Sequence, residues 1–183
     1  MTTRRQPVRA DGRRNRQALL AAARDVFARQ GLDAPLDAVA RAAGVDRATL
    51  YRNFGSREEL IRASFDEALE GLAAFLREHA DDDGAFVAAI ERTALRQRQD
   101  LGLIDLLTAR GSDLGPLRAP IAQFLDLMRE PLRRGQAAGL VRPDLAVDDL
   151  LPILLMLLAA VRWGGPPQQE RTLALVLDAM SPR

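Results

Sequence analysis

One short segment, residues 47–53 with the sequence RATLYRN, contains the side chains with the clearest chemistry. If this segment is helical, its outer face carries arginine, hydroxyl and amide groups, from Arg47, Thr49, Arg52 and Asn53. Arginine can bind guanine through two hydrogen bonds, and the methyl group of threonine can contact thymine. The segment therefore has the chemistry of a helix that enters the major groove of double-stranded DNA. An ordinary solvated helix face would have a similar composition.

The neighbouring residues predict how this helix is held. From Leu36 onward, apolar residues recur at spacings of three and four, as on one face of a helix. Gly44 supplies the left-handed residue that ends such a helix, and the carboxylate of Asp46 can cap the next one. Leu50 and Phe54 then point inward. The stretch is a predicted helix–turn–helix.

Residue sets typical of catalysis are missing from the sequence. The one histidine is His79, there is no cysteine, and we find no Ser/His/Asp or metal-ligand constellation. The aspartates at 81–83 are consecutive, so their side chains point apart instead of converging on a cation. We therefore predict that the protein is not an enzyme and uses no cofactor and no metal.

Charge is divided unevenly along the chain, although the formal net charge is +1. Residues 1–62 carry 13 arginines against 7 acidic residues, which leaves +6, whereas residues 63–183 carry 13 arginines against 18 acidic residues, which leaves −5. Such a division is expected if only the front third of the chain meets a polyanion. Residues 1–12 lack apolar periodicity and contain three arginines, so we predict a flexible basic arm there.

Helical spacing continues through the rest of the chain, and no alternating strand pattern is present. Together with the helix–turn–helix it predicts an all-α protein of about nine helices, the others covering residues 13–30, 57–80, 85–99, 101–109, 117–138, 147–163 and 168–180. Ser56 and Glu59 have the spacing of a capping box at the start of the helix over 57–80. Pro131 predicts a kink or break near residues 127–128, and the segment 164–167, GGPP, predicts a turn.

The helix predicted over 147–163 is apolar almost all round. Such a helix must be covered on both sides, and a second copy of the chain is the economical partner for the side that its own core does not cover. We therefore predict a homodimer. The interface predicted from this argument uses the helix over 147–163, through Leu150, Leu154, Leu157, Leu158 and Val161. The longest apolar run, over residues 150–161, is too short to span a bilayer, and we expect no membrane partner.

Two segments, AARDVFARQG and LDAVARAAGVDRATLYRNFGSREELI, resemble the N-terminal domain of TetR-family transcriptional regulators. About 50 residues show the family's order and spacing, and the end of the chain, AAGLVRPDLAVDDL and RTLALVLDAM, is similar to the C-terminal part of many members. The resemblance implies an all-α homodimer in the bacterial cytoplasm, associated with the nucleoid. It also implies a three-helix DNA-binding domain, residues 13–56, and a ligand-binding and dimerisation domain, residues 57–183, with the helix over 57–80 as the connector. The last two helices would form the dimer interface, which adds Leu173, Val176, Leu177 and Met180 of the final helix.

The resemblance also implies roles for individual residues. It places the Tyr51 hydroxyl on a DNA phosphate, and Arg57 with the first amides of its helix on the backbone anion. Base reading would then fall to Arg47, Thr49 and Arg52, with Asn53 at the edge. This chain departs from the family in three places: Asn53 stands where histidine is most common, Arg57 stands where lysine is usual, and the approach DAPLDAVA is one residue shorter.

A small apolar or amphipathic effector is the predicted second partner, since a few polar groups in an apolar cleft are typical of small-molecule sites. The predicted pocket residues, each of which could equally be a core residue, are Phe75, Phe86, Ile90, Thr93, Gln97, Leu103, Leu107, Thr108, Phe124, Met128 and Trp163.

The sequence thus predicts a DNA-binding transcriptional regulator, a repressor that an effector releases from a quasi-palindromic operator. An activator, or a regulator without a ligand, fits the same residues. The alternatives from other classes are a helical small-molecule carrier and a protein adaptor in which the helix–turn–helix is only structural. The positive charge of the first 62 residues argues against a carrier.

Overall fold

The computed structural model describes residues 6–31, 34–97 and 118–182, and this part of the chain is helical without any strand. The all-α prediction is confirmed. The seven helices of these residues are α1 (Gln6–Gln30), α2 (Leu36–Ala42), α3 (Arg47–Asn53), α4 (Arg57–Glu78), α5 (Ala85–Gln97), α6 (Arg118–Ala137) and α7 (Leu150–Met180). The helix predicted over 101–109 lies outside the described residues.

The first three helices and the start of α4 enclose one apolar core, which we call the N-terminal core. Its buried members include Leu19, Val26, Val39, Leu50, Phe54 and Leu60. Leu50 and Phe54 point inward as predicted, and each buried leucine or phenylalanine contributes about 1.5–3 kcal/mol relative to an exposed one. This burial fixes which face of α3 is left for a partner.

The turn between α2 and α3 follows the prediction closely. Gly44 has a φ of +68°, its N–H donates to the carbonyl of Arg41, and the N–H of Val45 donates to the carbonyl of Ala40. This pair of bonds is a Schellman motif, which satisfies the last carbonyls of α2. Asp46 then caps α3, with a carboxylate oxygen 2.6 Å from the backbone nitrogen of Thr49.

The predicted start of the first helix at residue 13 is wrong, because α1 begins at Gln6. Residues 6–12, which were predicted to belong to a flexible arm, are the first turns of this helix. Pro7 lies in the first turn, where its missing N–H costs no hydrogen bond, and arginine is a good helix former. Residues 1–5 lie outside the described part of the chain.

α4 is the element shared by the two halves of the fold. Its first part belongs to the N-terminal core, through Leu60 and Ile61. Its later residues Leu69, Leu72 and Leu76 belong to a second core, which we call the C-terminal core and which also contains buried residues of α5, α6 and α7. A rotation or shift of α4 therefore changes the packing of both cores.

Two predictions concern proline and glycine in the C-terminal helices. Of the kink or break predicted in α6, the break is wrong, because the helix is continuous through Pro131, with Met128 and Leu132 buried in the C-terminal core on either side. The predicted turn at 164–167 is confirmed. Gly165 has φ +70° and ψ −171°, which divides α7 into two arms, 150–164 and 166–180.

Two buried glutamines tie the arms of α7 to α5. The Gln97 amide nitrogen donates to the carbonyl of Leu154 at 3.0 Å, and the Gln169 amide nitrogen donates to the carbonyl of Ala94 at 2.6 Å. These bonds fix which face of each arm points into the C-terminal core. Over the described ranges, no helix combines the length and apolarity that crossing a membrane requires.

Candidate DNA-binding surface and internal cavity

The outer face of α3 carries the predicted DNA-contacting groups. The Tyr51 side chain is 42% exposed, Arg47 and Arg52 are exposed, and Thr49 and Asn53 are half-buried. Because these residues belong to a helix whose opposite face is fixed in the N-terminal core, their positions relative to one another are set before any partner binds. The surface has the size of one short helix and carries positive charge.

Contacts within this surface hold several of its donors in place. Arg47 lies 3.1 Å from a carboxylate oxygen of Asp37 on α2, and its guanidinium lies 5.5 Å from the centre of the Tyr51 ring. Arg52 donates to the Thr49 hydroxyl at 2.7 Å. Exposed ion pairs contribute about 0–1 kcal/mol, so a phosphate or a base edge can replace Asp37 as the partner of Arg47 at little cost.

Asn53 differs from the prediction of an outward-facing donor. Its side-chain amide donates to the Thr49 carbonyl at 2.8 Å and is half-buried. The residue thus closes the last turn of its own helix with one N–H, and its second N–H and its amide oxygen are the groups that DNA could contact.

Arg16 of α1 is a supporting residue that the sequence did not indicate. Its guanidinium lies 4.5 Å from the centre of the Phe54 ring and 3.4 Å from the carbonyl oxygen of Asn53. A cation at a helix C-terminus is favoured by the exposed carbonyls and the helix dipole. Arg16 therefore fastens the end of α3 to α1.

The start of α4 is capped by two reciprocal bonds. The Ser56 hydroxyl accepts from the Glu59 N–H at 3.1 Å, and the Glu59 carboxylate accepts from the Gly55 N–H at 2.8 Å. The second bond reaches one residue further back than in a standard capping box. Arg57 lies with its guanidinium 5.9 Å from the centre of the Phe27 ring. A DNA phosphate at the start of α4 would contact the Arg57 side chain, because the N–H groups of Gly55 and Glu59 already donate to Glu59 and Ser56.

Ser56→Ala is expected to lower the free energy of unfolding by about 1 kcal/mol, because the N–H of Glu59 loses its cap. Urea denaturation followed by circular dichroism measures the change. Ser181→Ala is the control for the loss of a serine hydroxyl at a helix end, since the Ser181 hydroxyl donates to the carbonyl of Leu177 at 3.0 Å and accepts no bond from a helix N–H. An equal loss in both variants would show that the cap contributes nothing specific.

The carboxylate of Asp46 is held in its charged form. Its pKa is lowered from the ordinary value of 3.8, first by the hydrogen bond from the Thr49 backbone and then by the one from the Thr49 side chain. A lowered pKa means that this cap contributes its stability above about pH 4 and loses it as the pH falls through the folded-state value. The cap is intact at neutral pH.

An internal cavity of about 170 Å³ lies where α1, α4, α5, α6 and α7 meet. Its wall combines residues of the N-terminal core, such as Phe27 and Ile61, with residues of the C-terminal core, such as Phe124 and Leu154. Arg24 also lines it, and its guanidinium lies 2.6 Å from the Glu67 carboxylate, an ion pair between α1 and α4. The cavity therefore touches both halves of the fold.

The surface of α7 shows which apolar residues lack cover in one protomer. Met156, Trp163 and Leu175 are exposed, Trp163 at 79% and Met156 at 51%, whereas the exposed Leu155 lines the cavity. Met156 and Trp163 are seven residues apart, so they share one face of the first arm. This arm is apolar on two faces, one in the C-terminal core and one open.

Comparison with known proteins identifies the family to which this fold belongs. The family model described as bacterial regulatory proteins, tetR family, matches residues 19–64, and a model described as the SbtR-like transcriptional regulator C-terminal domain matches residues 69–182. The chain belongs to the TetR family. The predicted DNA-binding transcriptional regulator is thereby confirmed, and the carrier and adaptor alternatives are not favoured.

Solved TetR-family structures share the whole fold. A TetR regulatory protein from Mycobacterium vanbaalenii is 30% identical with a TM-score of 0.69, covering 96% of this chain and 99% of that chain. A TetR regulator from Streptomyces coelicolor is 32% identical with a TM-score of 0.70, covering 91% and 98%. The regulator TtgW of Pseudomonas putida, itself described as uncharacterized, is 42% identical over 55 residues, which span 30% of this chain and 41% of TtgW.

Three predicted pocket residues of this TetR-family regulator, Thr93, Gln97 and Phe124, line the cavity. Phe86, Ile90 and Met128 do not, because they are fully buried in the C-terminal core, and Phe75 packs against that core. The pocket prediction is wrong for Trp163, which is at the surface. Leu103, Leu107 and Thr108 lie outside the described residues.

The predicted dimer residues of α7 are mostly core residues in the protomer. Six of the nine, namely Leu150, Leu157, Leu158, Val161, Val176 and Met180, are buried, whereas Leu154, Leu173 and Leu177 are partly buried against the C-terminal core. The helix is apolar on both sides as predicted. However, the residues that were predicted to contact a second copy of the chain lie on the side that packs into the protomer's own core. None of the nine residues predicted for the dimer interface is among the exposed apolar side chains of α7.

Proposed function

We propose that this TetR-family regulator is a homodimeric repressor whose operator is released when a small molecule occupies the cavity between α1, α4, α5, α6 and α7. The observation that carries the proposal is the position of the cavity. Its wall includes Arg24 and Phe27, which belong to the same helix that packs behind α3. An occupant would therefore contact the DNA-binding unit directly as well as the C-terminal helices.

The proposed DNA contacts follow the exposed face of α3. Arg47, Thr49 and Arg52 read base edges in the major groove, and Asn53 contributes at the edge through its second N–H or its amide oxygen. Tyr51 and Arg57 bind phosphates and set the register of the protein on the duplex. The exposure of Arg47 and Tyr51, and the contact between them, support this division of roles.

The proposed dimer forms through the open face of α7, around Met156 and Trp163. Exposed apolar side chains of this size favour a partner surface, and a twofold contact of identical helices supplies one. Two α3 helices would then enter successive major grooves of a quasi-palindromic operator, about one helical turn apart. We place the regulator in the bacterial cytoplasm, bound to nucleoid DNA.

Release requires that the effector bind the DNA-free arrangement more tightly than the DNA-bound one. α4 can transmit such a difference because it contributes Ile61 to the N-terminal core and Leu72 to the C-terminal core, and both line the cavity. The Arg24–Glu67 ion pair holds α1 against α4 at the same place. An occupant that separates these helices changes the distance between the two α3 helices of the dimer.

A footprint on the promoter upstream of the protein's own coding region tests the proposal. We expect protection of two half-sites about one turn apart, with an affinity that falls as the salt concentration rises, because phosphate contacts release counterions. The control is a DNA fragment of equal length from inside the coding region. Absence of salt-sensitive, site-selective binding would contradict the proposed function.

A further inference from the structure

One hydrogen-bond acceptor in the cavity wall has no partner among the described residues. Gln97 is only 6% exposed, and its amide nitrogen is committed to the carbonyl of Leu154. Because a carbonyl can only accept, this bond fixes which end of the amide is nitrogen. The remaining atom, Oε1, is buried and makes no hydrogen bond within the part of the chain that the structure describes. A ligand with an O–H or N–H group would satisfy it.

The other neutral polar residues of the wall offer acceptors as well. The Thr93 hydroxyl donates to the carbonyl of Ala89 at 2.7 Å, and the Ser64 hydroxyl donates to the carbonyl of Leu60 at 3.1 Å. Each hydroxyl has a single hydrogen, so its oxygen is left with lone pairs only. The neutral part of the wall therefore favours a ligand that donates hydrogen bonds.

Among the described residues, the charged part of the wall is basic. The described lining residues include three arginines, Arg24, Arg92 and Arg96, and no acidic side chain. Arg92 and Arg96 come together over Gly71, with their terminal nitrogens 3.9 and 4.0 Å from the position that a Cβ there would occupy. Both guanidinium groups thus lie beside the same point of the wall, and each carries the planar set of N–H donors that binds a carboxylate.

The rest of the wall is apolar and sets the size of the ligand. Phenylalanine, leucine and isoleucine side chains from both cores make up most of it, for example Phe27, Leu72 and Phe124. Its volume of about 170 Å³ is close to that of an engineered apolar cavity of roughly 150 Å³ that holds benzene. Because the cavity is partly open, this volume sets the size of the enclosed part of the ligand, an apolar body of about one aromatic ring or a short aliphatic chain.

We propose that the effector is a small amphipathic acid with an apolar body of this size, an anionic group bound by Arg92 and Arg96, and a hydroxyl or N–H group that donates to Gln97. This inference rests on the proposed function, because it specifies the ligand of the same cavity. It assigns Gln97, Arg92 and Arg96 as the residues that determine specificity.

A matched set of probes tests the ligand class on the wild-type protein. The set contains the ortho, meta and para isomers of hydroxyphenylacetate, phenylacetate without the hydroxyl, and the methyl esters of the three hydroxy acids. By isothermal titration calorimetry, we expect at least one hydroxy acid to bind about tenfold more tightly than phenylacetate and about tenfold more tightly than its own ester. The three isomers place the donor at different distances from the acid.

Variants test whether Gln97 determines the preference for the hydroxyl and whether Arg92 and Arg96 determine the preference for the acid over the ester. Gln97→Leu is expected to remove most of the preference for the hydroxyl and to leave the preference for acid over ester. Arg92→Gln with Arg96→Gln is expected to do the reverse. Arg129→Gln is the control for the loss of an arginine, because Arg129 lies on α6 outside the cavity lining. If a variant fails to fold, the comparison of probes on the wild-type protein still decides the ligand class.

Operator binding, measured in the same samples, separates this inference from the function on which it rests. Failure of the unliganded protein to bind its operator would contradict the proposed function. Intact operator binding together with no binding of any hydroxy acid, or with equal binding of acids and esters, would overturn the ligand class alone. Selective binding without operator release would support the ligand class and contradict the effector role.

Discussion

Arg47→Ala is expected to weaken operator binding by about 1–3 kcal/mol, or roughly 5- to 150-fold. Its side chain is 67% exposed at the start of α3, and Asp37, with which it forms an ion pair, is itself exposed. Arginine that binds a base edge through two bonds carries sequence information, so the loss should be concentrated on the operator and small on unrelated DNA. Fluorescence anisotropy with both DNAs, over a range of salt concentrations, measures it.

Arg129→Ala is the matched control for this experiment. Arg129 is 64% exposed and pairs with Asp126 at 3.4 Å, so it resembles Arg47 in exposure and partner but lies on α6. We expect no change in operator affinity. An equal loss of Arg47→Ala affinity on operator and unrelated DNA would assign Arg47 to phosphate, and no loss on either would contradict a DNA contact by this residue.

The features that the sequence predicted well are those decided by neighbours in the chain. The glycine turn at Gly44, the cap at Asp46 and the break at Gly165 each depend on residues within a few positions, and the structure confirms all three. The inward positions of Leu50 and Phe54 follow from helical spacing alone. Local physical chemistry therefore predicted the helix–turn–helix almost completely.

Contacts between distant residues were not predictable in this way. Arg16 and Asn53 are 37 positions apart, and nothing in either segment indicates that the guanidinium reaches that carbonyl. Asn53 could equally have pointed to solvent, because an amide at the end of a helix has both choices. Only the packing of α1 behind α3 decides between them.

The face of α7 and the cavity show the same limit. Both sides of the first arm are leucine-rich, so apolar spacing could not tell the inner face from the open one, and the bond between Gln97 and Leu154 settles it. Phe86 and Phe124 are alike in the sequence, yet one is fully buried in the C-terminal core and the other lines the cavity. A void is a property of the packed structure, and no single residue type marks it.

Met156→Glu is expected to produce a monomer that has lost most of its operator affinity. The side chain is half-exposed in the protomer, so a carboxylate there is tolerated by the isolated fold but is buried without a partner in the proposed interface. When two DNA-binding units are joined, the second binds at a high effective concentration, which can raise affinity by about 10²- to 10⁴-fold. Light scattering measures the mass, and anisotropy measures the loss on the full operator.

Leu95→Glu is the matched control, because Leu95 is an exposed leucine of α5, 53% accessible, on a different helix from the proposed interface. It should remain a dimer with normal operator affinity. Trp163→Arg, on the same face as Met156, should reproduce the monomer, which guards against an effect peculiar to one site.

Because the dimer prediction concerns only the second half-site, both monomeric variants should still bind a single half-site as weakly as the wild-type protein does. A Met156→Glu protein that stays dimeric would show that the two copies meet on another surface, and a monomer with full operator affinity would contradict binding as a dimer.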